Sequence, residues 1–167
     1  MNPAIGKSLN DFCAWLDQTA LSQAIQATNW VVPTVQSIHI LAIAMVAASA
    51  LMIDLRLIGV FGADQPLKTV SSRFLPFVWW PLLILFITGA IMIVGEPPRS
   101  LKNPVFQIKM LLLIGALTVT GIFQIMLRTN SSFAGASRSG AGITIAVVSI
   151  LLWTGIIFAG RWIAYYS

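Results

Sequence analysis

The stretch WVVPTVQSIHILAIAMVAASALMIDLRLIG, residues 30–59, decides the fold class of this chain. Its apolar run is longer than the roughly 20 residues that a helix needs to cross a bilayer, and it carries no charge before Asp54. It also holds His39, the only histidine in 167 residues. An imidazole inside a membrane span is costly, so it calls for a polar partner or a function. The stretch therefore predicts a membrane protein organised around this helix.

The composition supports a membrane environment. The chain is 57% hydrophobic and 9% charged, against about 25% charged residues in soluble domains. The net charge of +5 comes from basic residues scattered between apolar runs, which is typical of helix-flanking anchors. We therefore expect the lipid bilayer, and no nucleic acid, as a partner. The single Cys13 excludes an intramolecular disulfide, and no phosphate-binding loop, CxxC, HExxH or GxSxG motif is present.

Four apolar runs are each long enough to span a membrane. They cover residues 31–57, 75–94, 105–127 and 142–163. Pro76 and Pro81 predict an irregular entry into the second run, and Asn103 followed by Pro104 predicts a clean helix start for the third. The sequence thus predicts an all-α fold, a four-transmembrane-helix bundle in residues 30–167.

Residues 1–29 are predicted to form a separate amphipathic segment. Ser8 and Asp11 have capping-box spacing, which predicts a helix start at Ser8. Apolar residues such as Phe12, Cys13 and Leu16 then recur at helical spacing. This pattern favours an N-terminal interfacial helix on the membrane surface. An ordinary helix docked on the bundle needs the same apolar face and remains an equal alternative.

Counting residues from the helix ends predicts a polar layer around His39. The first and third spans run parallel, so His39 and Lys109 lie at similar depth in one leaflet. Glu96, at the end of the second span, returns to the same side. Gln36 lies nearly one turn before His39. We expect these residues to approach one another.

A second layer is predicted about 22 Å deeper along the first and third spans. Asp54 follows His39 by 15 residues, and Gln124 follows Lys109 by the same interval, which places each pair on one helix face. Arg128 is expected at the same level. Near a helix end, an interfacial salt bridge with Arg56 or Arg128, or snorkelling of the arginines, is the simpler explanation for Asp54.

The apolar interior and the lone histidine favour a haem site. Neutral imidazole ligates haem iron, and apolar walls suit a porphyrin. His39 is the expected axial ligand, with Lys109 as a candidate second ligand; the alternatives are Met45, Met92 or Met110. The competing interpretation is a structural network in which His39, Lys109 and Glu96 hydrogen-bond across helices.

Two segments resemble known membrane proteins. SIHILAIAMVAASALMIDLRLIG at 37–59 and PPRSLKNPVFQIKMLLLIGAL at 97–117 resemble a family of uncharacterised small bacterial four-helix membrane proteins. More distantly, they are similar to HemJ-type protoporphyrinogen oxidase and to the membrane domain of copper-resistance protein CopD. The resemblance implies haem b binding, with functional residues at His39, Lys109 and Arg99. Near Val105, however, this chain lacks the tryptophan that HemJ-type proteins carry there. It also has Gln124 where relatives often carry a second histidine. Both departures argue against protoporphyrinogen oxidation.

The leading hypothesis is therefore a b-type haem-binding electron-transfer protein of the bacterial inner membrane. We expect both termini in the periplasm, and electron exchange between quinone and a periplasmic redox partner. A homo-oligomer could supply His39 twice to one haem. One alternative is a non-catalytic membrane subunit that binds lipid or a partner protein. Another is a small metal-handling or transport protein, which the CopD-like layout suggests.

Overall fold

Residues 3–130 and 139–165 are described by a computed structural model, and within these ranges the chain is helical with no strand. The all-α prediction is confirmed. A short 3-10 turn, Ile163–Tyr165, follows the last helix. The helices are α1 (Pro3–Asp17), α2 (Ala20–Ala27), α3 (Val31–Ile58), α4 (Leu67–Phe74), α5 (Pro76–Gly95), α6 (Pro97–Leu101), α7 (Pro104–Thr129) and α8 (Gly140–Trp162).

Four helical segments are long and apolar enough to cross a membrane. They are α3, the α4–α5 pair, α7 and α8, with lengths of 28, 29, 26 and 23 residues. Large apolar side chains such as Phe86 and Leu111 point outward from them. In a bilayer such side chains face lipid, since hydrocarbon replaces the protein core as their surroundings.

α3 lies at the centre of the bundle. It packs between α5 and α8, and α8 in turn packs against α7, whereas α5 and α7 make no close packing of their own. Small residues such as Ala42, Ser49, Ala146 and Ser149 are buried where these helices meet. Small side chains allow membrane helices to approach closely, which explains why the central helix carries so many of them.

The predicted irregular entry into the second span and the predicted start of the third span are confirmed. The Asn103 side chain accepts a hydrogen bond from the Val105 amide at 2.9 Å, and Pro104 is the first residue of α7. α4 and α5 meet at Leu75, directly before Pro76, where the missing amide hydrogen interrupts the helix. Pro81 lies inside α5 without ending it.

The predicted capping box at Ser8 is wrong. α1 begins at Pro3, so Ser8 and Asp11 both lie inside the helix. Proline is favoured in the first turn, where a missing amide hydrogen costs nothing, and it starts the helix earlier than the capping pattern indicates. The N-terminal segment instead divides near Thr19, whose hydroxyl accepts a hydrogen bond from the Ser22 amide and caps α2.

The N-terminal segment is docked against the bundle. The Cys13 thiol is buried with its Sγ 3.9 Å from the Pro97 carbonyl oxygen. The Ser22 hydroxyl donates to the Val94 carbonyl oxygen at 2.7 Å. Phe12 and Trp15, by contrast, point outward with their ring centroids 5.9 Å apart. The segment therefore has one face against α5 and α6 and a second, aromatic face directed away from them.

Candidate functional site

A hydrogen bond across the α3–α5 interface fixes the His39 imidazole. Its Nδ1 lies 2.7 Å from Oγ1 of Thr88. The Thr88 hydroxyl also lies 2.7 Å from the Ile84 carbonyl oxygen, to which it donates its one hydrogen. With that hydrogen on the Ile84 carbonyl oxygen, His39 donates from Nδ1, and the lone pair of its neutral ring is on Nε2. No residue in the described part of the chain hydrogen-bonds Nε2.

The backbone of α5 lies against the same ring. A Cβ at Gly89 would lie 3.7 Å from Cε1 of His39, which is ordinary van der Waals contact. Thr88 and Gly89 thus hold and flank the imidazole, and the ring remains partly exposed. The geometry resembles that of metal-binding histidines, whose second ring nitrogen is usually held by a neighbouring acceptor.

Lys109 lies at the level of His39, as the residue count predicts. The two side chains are within electrostatic range of each other. Lys109 is half-buried, and its Nζ would lie 3.6 Å from a Cβ at Gly160 of α8. The absence of a side chain at Gly160 gives the ammonium group its place between α7 and α8. The layer therefore contains an imidazole held against α5 and an amine held against α8.

Glu96, Arg99 and Gln36 do not join this layer. Glu96 Oε2 pairs with Nη1 of Arg99 at 2.9 Å, and both side chains are more than two-fifths exposed. Gln36 is exposed on α3. The expected contact of Glu96 with His39 is wrong because Glu96 lies at the end of α5 and pairs with Arg99, three residues away.

The Arg99–Glu96 pair borders a surface cavity of about 530 Å³. Asp17, Val32 and Gly95 are also in its lining. On α3, Val32 precedes His39 by seven residues, and on α5, Gly95 follows Thr88 by seven residues. Seven residues are almost two helical turns, so the two members of each pair lie about 10 Å apart on nearly the same face of their helix. The cavity is therefore the polar mouth of the α3–α5 groove in which the imidazole lies.

The second predicted layer has different partners. Asp54 is only 3% exposed, and it lies beside Ser149 of α8 rather than Gln124 of α7. Its Oδ2 has no hydrogen-bond partner among the residues that the structure covers. A cavity of about 20 Å³ adjoins the carboxyl group. Gln124 is not in the lining of this cavity, whereas Thr120, one turn earlier on α7, is.

The predicted salt bridge of Asp54 with Arg56 or Arg128 is wrong. Arg56 is buried and donates from Nε to the Gln65 carbonyl oxygen at 2.9 Å. Two residues along a helix turn a side chain by about 200°, so Asp54 and Arg56 face opposite sides of α3. Arg128 is exposed. Within residues 3–130 and 139–165, the observed ion pair is Arg99–Glu96.

Sequence reasoning missed Thr88 and Ser149. Thr88 holds the His39 imidazole, and Ser149 lies beside the Asp54 carboxyl group. Hydroxyl residues are common in apolar helices, and many bond only to their own backbone, as Thr118 does to Ile114. The pair Thr88–Gly89 was the available signal, since it interrupts an otherwise bulky apolar run. In the described ranges, no group of three or more His, Cys, Asp or Glu side chains is placed to hold a metal ion.

Comparisons with known proteins place the chain in one family. Characterised proteins and solved structures gave no match, and the resemblance to HemJ-type oxidase and to CopD gained no support from them. A family model matches residues 12–166, more than nine-tenths of the chain, and includes all four apolar helices. The chain therefore belongs to the Family of unknown function (DUF6644).

Proposed function

We propose that this protein binds haem b in the membrane, with Nε2 of His39 as an axial ligand, and carries electrons. The observation behind the proposal is the Thr88 hydrogen bond, which holds His39 with its Nδ1 hydrogen committed and its Nε2 lone pair available. Such a second partner orients a ligating imidazole and strengthens its bond to the metal. Bound haem would supply one-electron chemistry.

The donor fits haem iron, and a porphyrin bound to it would lie at the surface of the helical bundle. Neither the 530 Å³ cavity nor the 20 Å³ cavity has His39 in its lining. The imidazole is instead partly exposed beside α3 and α5. A porphyrin at Nε2 would therefore be bounded by this groove on one side, and by lipid or a second copy of the chain on the other. A second copy would bring a second His39.

Arg99 is the basic residue suited to the rest of such a ligand. Arg99 lies at the mouth of the groove, about two turns above the imidazole, where a guanidinium pairs well with a carboxylate. Haem carries two propionates that need such a partner. Lys109 is in the same layer as His39, but its amine lies against Gly160 of α8 rather than against α5, so the candidate second ligand in this groove is His39 of a second copy. Quinone and a periplasmic redox protein are the electron partners that this location suggests.

The test is an absorption spectrum of the purified protein in mild detergent, before and after reduction with dithionite. We expect a Soret band that shifts on reduction and is lost in His39→Ala. Gln36→Ala is the matched control, since Gln36 is exposed one turn away on the same helix. A wild-type protein that stays colourless after incubation with haem would contradict the proposal.

A second candidate function is that of a non-catalytic subunit that binds a phospholipid. The surface cavity favours it, because Arg99 offers a cation for the phosphate while Asp17 and Glu96 offer carboxylates for an amine. Native mass spectrometry would then detect a bound phospholipid in the wild type and its loss in Arg99→Gln. Unchanged lipid occupancy in Arg99→Gln would reject this site.

A further inference from the structure

Asp54 differs from every other acidic residue of the chain. The chain has five Asp and Glu residues, and all of them lie in the described ranges. Asp11, Asp17 and Asp64 are exposed, and Glu96 is partly exposed and paired with Arg99. Asp54 alone is buried, with 3% of its surface exposed. Its Oδ2 has no partner in the part of the chain that the structure describes.

Oδ2 belongs to a carboxyl group that borders a small, partly enclosed cavity between four helices. The cavity of about 20 Å³ has room for one water molecule. Ser149 and Thr120 contribute the other polar side chains of its lining. Thr120 donates its hydrogen to the Ala116 carbonyl oxygen at 2.8 Å, so its Oγ1 can accept from the cavity. The remaining lining residues are Ala50, Ile53, Val78, Val119, Phe123 and Ile145, all apolar and none titratable.

An ionised carboxylate is costly in these surroundings. A buried charge needs a paired counter-charge, and no basic side chain from α3, α5, α7 or α8 lines the cavity. A hard metal cation would need about six oxygen ligands, and the lining offers side-chain oxygens from only three residues. Protonation of the carboxylate, by contrast, needs only one oxygen atom. The water molecule then needs two or more polar partners, and Asp54, Ser149 and Thr120 provide them.

We propose that Asp54, Ser149 and Thr120 form a buried proton-binding site. The Asp54 carboxylate takes one proton on Oδ2 from a hydronium ion of the aqueous phase: the Oδ2–H bond forms as one O–H bond of the hydronium breaks, and a water molecule is left. The carboxylic acid donates to the single cavity water, which donates in turn to Oγ1 of Thr120. Asp54 lies four residues, or about 6 Å, before the end of α3. The proton therefore exchanges with the side of the membrane that holds the α3–α4 loop. This site does not depend on haem binding at His39.

Infrared spectroscopy tests the proposal directly on the whole protein in lipid at neutral pH. We expect a carbonyl band of a protonated carboxylic acid that shifts in D₂O and disappears in Asp54→Asn. Asp64→Asn is the control and retains the band, because Asp64 is exposed. Thr120→Val removes the acceptor and is expected to shift the band without abolishing it.

Labelling of the wild type with carboxyl-¹³C aspartate makes the test independent of any variant. Asp54 is the only buried aspartate, so the labelled band must move to lower frequency if it comes from this residue. Absence of a protonated carboxyl band at neutral pH overturns the proposal. A band that appears only when sodium is replaced by choline also overturns it, since the site would then hold sodium.

Discussion

Thr88 and His39 are coupled across two membrane helices, because the threonine hydroxyl is at once a donor to its own helix and an acceptor for the imidazole. The Nδ1–Oγ1 distance is 2.7 Å. This relationship sets both the tautomer of His39 and the direction of its free lone pair. A hydroxyl one helical turn before or after Thr88 would lie too far from the imidazole to make this hydrogen bond.

Thr88→Val should therefore loosen His39 without opening a cavity, since valine has nearly the same shape. An interhelical hydrogen bond in a membrane protein contributes about 1 kcal/mol, so we expect a modest loss of thermal stability. If haem binds, its affinity should fall as well, because the ligand is no longer oriented. Thr88→Ser keeps the acceptor and serves as the control. Equal behaviour of the Val and Ser variants would show that the hydrogen bond has no role.

Gly95→Ala should displace α2 from the bundle. A Cβ at Gly95 would lie 3.0 Å from Cγ2 of Ile25, which is closer than normal contact. Overpacking of this kind costs roughly 1–3 kcal/mol. Limited proteolysis should then cut near residues 18–30 faster than in the wild type. Gly121→Ala is the control, because its Cβ would meet nothing within 4 Å; similar cleavage of both variants would count against this contact.

Ser22→Ala should weaken the same docking by another route. It removes the hydrogen bond to the Val94 carbonyl oxygen and the one that Ser22 accepts from Gln26 within α2, and leaves the Cβ in place. The expected cost is about 1 kcal/mol, read as faster hydrogen exchange in α2. Ser37→Ala is matched to it, since Ser37 is exposed and bonds only to Pro33 in its own helix. Unaltered exchange in Ser22→Ala would mean that α2 is held by apolar contacts alone.

Asp54→Asn and Arg56→Gln should change the stability of the protein independently. Asp54 faces the bundle interior, whereas Arg56 bonds to the Gln65 carbonyl oxygen in the loop after α3. Sites without shared partners add to within about 0.5 kcal/mol. Thermal unfolding of the two single variants and the double variant measures the coupling. A coupling energy well above that value would indicate that Asp54 and Arg56 interact, as the predicted ion pair requires.

The spans, their order and the start of α7 could be predicted because each depends on local pattern. Long apolar runs define α3, α7 and α8, and Asn103 with Pro104 defines a helix start. The depth match of His39 with Lys109 was also predictable, since helical rise is constant. The partners of Asp54 were not predictable in the same way. They depend on α8 lying between α3 and α7, and the sequence contains no signal for that order of neighbours.

That order of neighbours makes the bundle two helical hairpins joined along one seam. α3 and α5 form the first hairpin, α7 and α8 form the second, and the seam is the α3–α8 contact. The His39–Thr88 bond lies wholly within the first hairpin, and the Lys109–Gly160 contact lies wholly within the second. Asp54 and Ser149 face each other across the seam. A sliding or tilting of one hairpin against the other would leave the imidazole held as it is, and would change the surroundings of the buried carboxyl group.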